Sequence, residues 1–392
     1  MNRDLLAVMV MTHNHPETVE YILNNNLEFY KKYGIDVYIC DDGDDNQTKI
    51  ITERFIAEGF DNLFWKDAHG VIHGDEKYFN AIKRKYTDKE YKYIFPIKDR
   101  ALFSERIIKL ISEAIENEND IIMVVNDFDR WELTLPPIKD VYTDALTFFS
   151  HYGQLTTNWR SLIFNSKTIL NDKNIEEMDK RFEEIHPFTQ TFMTYTGLDK
   201  IDNPRIRVIH ATQNGDIEEV CKFGSGSGWG PTVFSLWIDT WTKAIFSLPQ
   251  RYNDCKASVL KAETNLPVLF GSIDGMLAHK GRGTLTKEVL DKYRSMWEMI
   301  SDVPIEWVDL LLDEDYERLF VQVHSTIDYC LQNHDYETAF YVVDQNQWLG
   351  KVKEEYVKLS KIFFRFKLDY YQNGTSNRLD GISSIKEILE KE

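Results

Sequence analysis

Two apolar runs, each ending in a polar loop and separated by one amphipathic helix, constrain this chain more than any other feature. Residues 5–11 (LLAVMVM) are continuously apolar, as a strand buried on both faces requires. Asn14-His15-Pro16-Glu17 reads as a helix start, because Pro is tolerated in the first turn and Glu complements the helix dipole there. Val19, Ile22, Leu23, Leu27 and Tyr30 recur at helical spacing, and Lys31, Lys32 and Gly34 supply a basic last turn and a stop. Residues 36–40 (DVYIC) read as a second strand, 41–45 as a loop, and Ile51, Phe55 and Gly59 as the following helix. Two strands joined by one helix make a parallel βαβ unit. Ligands of open α/β sheets bind beyond the carboxyl ends of the strands. The loops 12–15 and 41–45 are therefore expected side by side at a binding crevice.

The alternation continues. Residues 91–97 (YKYIFPI) predict a strand ending in Lys98-Asp99-Arg100, and Phe103, Ile107, Ile111 and Ile115 predict one face of a helix. Residues 120–125 predict another strand, ending in Asn126-Asp127-Phe128-Asp129. Residues 162–164 read as a further strand and 206–210 as a short exposed one. From Lys222 the character changes. Residues 223–231 (FGSGSGWGP) read as a flexible loop, before an amphipathic helix carrying Phe234, Trp237, Trp241 and Ile245. The loop has the composition of a mobile lid. The aromatic stripe predicts core packing, with an acceptor-sugar platform or a docking face as the alternative. Beyond Arg251 the pattern is largely helical, over 287–300, 314–333, 336–344 and 351–371. The stretch 331–336 resembles the turn of one helical-repeat hairpin, and no second copy at a fixed period supports an array. The expected organisation is an α/β domain over 1–222, a loop and aromatic helix over 223–250, and a helical region over 251–392.

Lys plus Arg number 46 and Asp plus Glu 64, a net charge of −18. So acidic a chain is a poor general binder of nucleic acid, which needs clustered cations, although one local cationic pocket for a diphosphate is compatible with it. The 4 cysteines are far apart with no CxxC pair, which predicts neither zinc nor disulfides and a reducing compartment. The first apolar run is too short for a signal peptide or a membrane span, and the expected location is cytoplasmic.

The block AVMVMTHNHPETVEYIL…VYICDDGDDNQT resembles the opening of family-2 glycosyltransferases of GT-A fold, over the first third of the chain. Those proteins carry a Thr-x-Asn loop after the first strand and Asp-Asp-Gly-Ser after the second. Here Thr12, Asn14, Asp41, Asp42 and Gly43 match, with Asp44 in place of the serine. The resemblance implies that the two loops hold a nucleotide base and ribose, as a carboxylate accepting from an N–H or hydroxyl can. A solvated turn capping the next helix is the competing reading of residues 41–45. Gly70 falls where the family lines the nucleotide pocket, and a plain loop is equally compatible with it. The family's acidic motif chelates a divalent cation, Mn²⁺ or Mg²⁺, that bridges the donor diphosphate. Lys98-Asp99-Arg100 stands at that place, which makes Asp99 the metal candidate, or else leaves Lys98 and Arg100 to neutralise the diphosphate themselves. Asp127 and Asp129 are the alternative chelate, one strand later. An inverting transfer needs a base for the acceptor hydroxyl, and Glu184 is the first candidate and His186 the second. Glu183-Glu184 also fits a solvated helix face. His13 and His15 receive no role.

The leading expectation is an inverting transferase that moves a sugar, by family prior from a UDP-sugar, to a hydroxyl of a glycan, lipid-linked glycan or glycoprotein in cell-surface polysaccharide or glycoprotein synthesis. Peripheral membrane association and homo-oligomers through the helical region are compatible with it. The alternative is a catalytically silent nucleotide- or sugar-binding subunit of a glycosylation complex. A dinucleotide-dependent oxidoreductase would need GxGxxG after the first strand, and residues 12–16 contain no glycine.

Overall fold

The computed structural model describes residues 5–71, 74–126, 140–211, 215–220, 230, 232–264, 269–351, 353–361 and 363. Asp127, Asp129 and nearly all of the glycine-rich stretch 223–231 lie outside the described residues. The chain divides into two compact units, the first Met1–Gly228 with Asp239–Val259, the second Trp229–Ile238 with Leu260–Glu392.

The first unit opens β1 (Leu6–Thr12), α1 (Pro16–Lys32), β2 (Asp36–Asp41), α2 (Gln47–Ala57), β3 (Leu63–Asp67), α3 (Gly74–Ile82) and β4 (Tyr93–Lys98). It continues with β5 (Ala101–Phe103), α4 (Glu105–Glu116), β6 (Ile121–Asn126), β7 (Val141–Tyr142), α5 (Ala145–Tyr152), β8 (Leu162–Asn165), α6 (Asp172–Asp179), α7 (Phe182–Ile185), α8 (Thr189–Asp199), β9 (Ile206–Ala211) and β10 (Ile217–Glu219). The helices α9 (Trp241–Phe246) and α10 (Asn253–Thr264) come next. Eight strands form one sheet in the order β3-β2-β1-β4-β8-β6-β9-β7. Only β8 and β7 run against the others. The expected α/β layering with a mostly parallel sheet is what the unit adopts.

Period-two alternation splits the buried strands between two cores. Leu6, Val8 and Val10 of β1, Val37 and Ile39 of β2 and Phe95 and Ile97 of β4 pack with Val19, Leu23 and Leu27 of α1, Phe55 of α2 and Ile107, Ile108 and Ile111 of α4. The intervening Ala7, Met9 and Met11 are buried too, and α3 packs against β1 and β4. Both faces of the sheet are thus covered, which explains why these runs are continuously apolar.

Two sequence expectations are corrected. Residues 206–210 were expected to form an exposed strand. Instead β9 pairs in parallel with all of β6 and is buried apart from Arg207. Its polar members mislead because β7 pairs along its other edge and Arg207 reaches Asp140 at 3.5 Å. The platform reading of the aromatic stripe also fails, since Trp237 and Trp241 are buried, the latter against Phe188 at 4.8 Å.

The second unit is helical among its described residues: α11 (Ile273–Gly281), α12 (Lys287–Tyr293), α13 (Trp297–Ile300), α14 (Ile305–Leu312), α15 (Tyr316–Gln332) and α16 (Tyr336–Asp344). One device links its last three helices. Glu314 and His334 adopt left-handed φ values of 61° and 59°, and Asp315 and Asp335 then cap α15 and α16. No helix is long and apolar enough to cross a membrane among the described residues.

One buried amide ties the first helix to β5, the short strand that follows β4. Asn26 Nδ2 donates to the Phe103 carbonyl at 2.6 Å, and its Oδ1 accepts from the Phe103 N–H at 3.0 Å. Asn26→Ala leaves both backbone groups unpaired in the interior and should cost about 2–4 kcal/mol in urea denaturation. A loss below about 1 kcal/mol would show that water reaches this joint.

Candidate functional site

The chain winds from β1 to β2 and β3 on one side, then returns to place β4 on the other side of β1. The direction of winding therefore reverses between β1 and β4, and such a reversal leaves a crevice at the carboxyl strand ends. The strand registers make these ends level. Thr12 pairs with Asp41, Asp41 with Asp67, and Met11 with Lys98. One row of polar residues therefore crosses four strands at one edge of the sheet.

The row is cross-linked. The Thr12 hydroxyl donates to Asp99 Oδ2 at 2.8 Å, across the reversal point. His15 Nδ1 also lies 2.8 Å from Asp99 Oδ2. The hydrogen bond to Asp99 raises the His15 pKa above the ordinary value, against the opposing effect of burial. On the other side of β1, Asn14 adopts φ 54° and ties the two loops together. Its Nδ2 donates to Asp44 Oδ2 at 2.7 Å and its Oδ1 accepts from the Asp44 N–H at 2.7 Å. Asp44, the departure from the usual serine, is thus the partner of Asn14. Asp41 is buried, and its Oδ1 accepts from the Gly43 N–H at 2.9 Å. A Cβ on Gly43 would meet Asp41 Oδ1 at 3.0 Å and Asn14 Oδ1 at 3.1 Å, so close approach demands glycine here.

A residue that sequence reasoning missed completes this side. Lys77, on α3, is buried and donates to the Thr12 carbonyl at 2.6 Å and to Asp42 Oδ1. Helix α3 packs on β1 and β4, so its first turns carry Lys77 to the strand ends. Nothing in GDEKYF distinguishes this lysine from a solvated one. His13 Nδ1 lies 3.2 Å from the same Asp42 oxygen. His69 bridges Asp67 Oδ1 at 2.7 Å and the Gly43 carbonyl at 2.9 Å. Gly70 is exposed with φ 87° and turns the chain after β3.

The structure therefore brings Thr12, Asn14, Asp41, Asp42, Lys98, Asp99 and Arg100 to one edge, with Gly70 in the adjoining loop. The base candidates sit elsewhere. Glu184 is on α7, half exposed and 3.4 Å from Arg181 of its own segment. His186 lies just past α7, stacks on Phe182 and is 3.5 Å from Asp75 Oδ2 of α3. The hydrogen bond to Asp75 raises its pKa, against desolvation.

On the β8 side of β4 the edge is cationic. Lys98, Arg100, Ala101, Asn158, Arg160 and Glu219 line a recess. Arg160 was invisible from sequence for a topological reason. Strand β8 runs antiparallel to β4, with Ile94 opposite Phe164, so the residues before β8 reach the edge where the parallel strands end. Crevice residues are ordinarily sought at the carboxyl end of a strand, and Arg160 stands at the amino end of one.

The divalent cation implied by the resemblance was tested against this donor set. Asp99 Oδ2 already accepts from Thr12 and faces His15, and its Oδ1 is 3.9 Å from Arg100 Nε. Its chain neighbours Lys98 and Arg100 are cations. Hard cations want several oxygen ligands and repel neighbouring positive charge. Among the described residues no cluster of three metal-ligating side chains forms. The surroundings of Asp99 do not fit a divalent cation. The alternative pair Asp127 and Asp129 lies outside the described residues.

No family model matches the chain, and no curated protein does. Among solved structures the chain is similar to S. aureus TarS 1–349 in complex with UDP, at 11% identity over 95% of this chain and 93% of that one, TM-score 0.45. It is also similar to the mannosyltransferase PcManGT from Pyrobaculum calidifontis in complex with GDP-Man and Mn²⁺, at 13% identity over 74% and 75%, TM-score 0.39. Mouse xyloside xylosyltransferase 1, apo form, is similar at 12% identity over 52% and 84%, TM-score 0.31. Likenesses this distant assign neither residues nor substrates.

Two measurements test the geometry. Lys77→Met leaves Asp42 without its buried cation and should destabilise by about 3 kcal/mol, whereas adding Asp42→Asn should restore most of the loss. An additive double variant would show that the pair is not coupled. For His15 the folded pKa is raised, so the interaction stabilises fully below the unfolded value near 6.5 and fades as pH rises through the folded one. The stability difference between the native chain and His15→Asn should shrink as pH rises above about 6.5 in denaturation experiments. A pH-independent difference would mean that His15 does not change charge in this contact.

Proposed function

We propose that this protein is a glycosyltransferase that uses a nucleotide-activated sugar. The observation that carries the reading is the level row Asp41, Thr12, Asp99 at the point where the sheet reverses, with Lys77 fixing Asp42 beneath the first two loops. Buried carboxylates and a hydroxyl on three adjacent strand ends suit a ligand with several N–H and O–H donors, as a nucleoside has. The Thr-x-Asn and Asp-Asp-Gly motifs sit on these same loops, which supports a UDP-sugar as donor.

In this reading the loops at 12–15 and 41–45 hold base and ribose, and Gly70 borders the pocket. The donor's diphosphate lies toward Lys98 and Arg100. An acceptor hydroxyl oxygen attacks the anomeric carbon from the face opposite the diphosphate. The bond from that carbon to the diphosphate oxygen breaks, the electron pair leaves with the diphosphate, and the hydroxyl proton passes to a base. Of the two base candidates, His186 has an orienting carboxylate in Asp75, whereas the Glu184 carboxylate is half exposed and paired with Arg181. Inversion is the outcome of the single displacement. Acceptors of the class expected are hydroxyls of surface glycans or glycoproteins. Positioning of the two substrates supplies much of the rate.

Incubation of the purified chain with a panel of nucleotide-sugars, read by release of nucleoside diphosphate, tests the activity. Release from none of them would refute the transferase reading. Asp41→Asn keeps the acceptor for the Gly43 N–H while removing the charge. It should weaken UDP binding about tenfold by calorimetry, the worth of one charge-assisted hydrogen bond. Unchanged affinity would take Asp41 out of the site.

A further inference from the structure

Among the described residues, the recess beside β4 is lined by more cations than carboxylates. Among the described residues Lys98, Arg100 and Arg160 line it with one carboxylate, Glu219, and Asp99 Oδ1 lies 3.9 Å from Arg100 Nε. Glu219 Oε2 is 3.0 Å from Arg160 Nη1, and its Oε1 is 4.0 Å from Arg100 Nη1. It serves both arginines at once, one of them loosely. Among the described residues Lys98 makes no ion pair, and its ammonium lies over the Trp159 ring at 5.5 Å from the centroid. Burial lowers its pKa, with Glu219 opposing, so a further anion beside it would favour the charged form.

The frame around the recess is built rather than incidental. Strand β10, which carries Glu219, pairs antiparallel with β5, so Glu219 sits opposite Ala101. The start of β10 is anchored by Asp216, buried against Arg106 and accepting from the Ser104 hydroxyl at 2.7 Å. Arg106 Nη2 also donates to the His210 carbonyl at 3.0 Å. Arg160 is held on its own side by the turn into β8, where the Arg160 N–H donates to Asn158 Oδ1 at 3.2 Å. Two guanidinium forks and an ammonium, supplied by the end of β4 with its turn into β5 and by the turn into β8, face one space and suit the tetrahedral oxygens of phosphoryl groups.

We propose that Lys98, Arg100 and Arg160 form a metal-independent diphosphate site, and that Glu219 is its resident counter-charge, displaced when the ligand's phosphoryl oxygens take its place on Arg160 and Arg100. The assignment of the diphosphate to a nucleotide-sugar rests on the function proposed above, but the site itself does not. Neutralisation by side chains also agrees with the poor fit of a divalent cation at Asp99.

Inorganic pyrophosphate is the probe, titrated into the full chain by calorimetry with EDTA present. It should bind in EDTA, and Arg160→Ala and Lys98→Ala should each weaken it about tenfold or more. Glu219→Gln is close in shape and removes only the competing charge, so it should tighten pyrophosphate binding about threefold or more. That gain cannot come from misfolding. Absence of binding in EDTA that appears on adding Mn²⁺ would overturn the proposal, and so would an unchanged or weaker affinity in Glu219→Gln. Pyrophosphate binding with this mutational pattern but no turnover of any nucleotide-sugar would uphold the site and refute the transferase reading. Sugar transfer with an unaltered donor KM in Arg160→Ala would do the reverse.

Discussion

The hydrogen bond from Thr12 to Asp99 spans the place in the sheet where the winding of the chain reverses. Strand β1 meets β2 through α1, but it meets β4 only after the chain has travelled through β3 and α3. Such a reversal places a crevice at the carboxyl ends of the strands. The polar atoms at that mouth need partners. Thr12 and His15 supply them to Asp99, Lys77 supplies them to Asp42 and the Thr12 carbonyl, and Asn14 supplies them to Asp44. The described features of the site are arranged around this satisfied edge.

The parallel part of this arrangement was legible in the sequence because it is local. A continuous apolar run, a capped helix, a second run and an acidic loop lie within one stretch of chain, and the rule that parallel strands share an edge does the rest. Thr12, Asp41 and Asp42 could be placed at the crevice on that basis. Lys98, Asp99 and Arg100 came from the next strand by the same rule. What could not be read is what depends on distant pairing. Lys77 is one lysine among the charged residues of α3, and only the packing of that helix on β1 and β4 buries it. Arg160 precedes its strand, and it reaches the edge only because β8 is antiparallel. Strand β9 carries Arg207 and His210, which signal exposure until β6 and β7 are known to flank it.

Motif residues also turned out to have different work from what their positions suggested. Asn14 and Asp44 are occupied with each other, so the first two loops are locked before any ligand arrives. Such locking is preorganisation: ordering costs met in folding are not met again in binding. Asp99 stands in the place of a chelating acid, yet a hydroxyl and an imidazole hold its Oδ2. The substitution is consistent within itself. A carboxylate flanked by Lys98 and Arg100 gains from donors and from positive charge, whereas a metal at that point would be repelled by both cations.

This logic bears on how an anion reaches so acidic a protein. With a net charge of −18, the far field of the chain opposes a diphosphate. Salt screens that field within about 8 Å at physiological ionic strength, so approach is hindered only weakly and mostly at low salt. Inside the recess the balance inverts, because Lys98, Arg100 and Arg160 act at contact distance and through less water. Selectivity then has a physical basis. An anion that cannot enter meets only the repulsive surface, and one that can enter must compete with Glu219, already seated on the arginines. Glu219 engages Arg160 closely and Arg100 only loosely, at 3.0 Å and 4.0 Å. A diphosphate has oxygens enough for both and for the ammonium as well, and in the proposed site that difference in reach, rather than charge alone, would set the two anions apart.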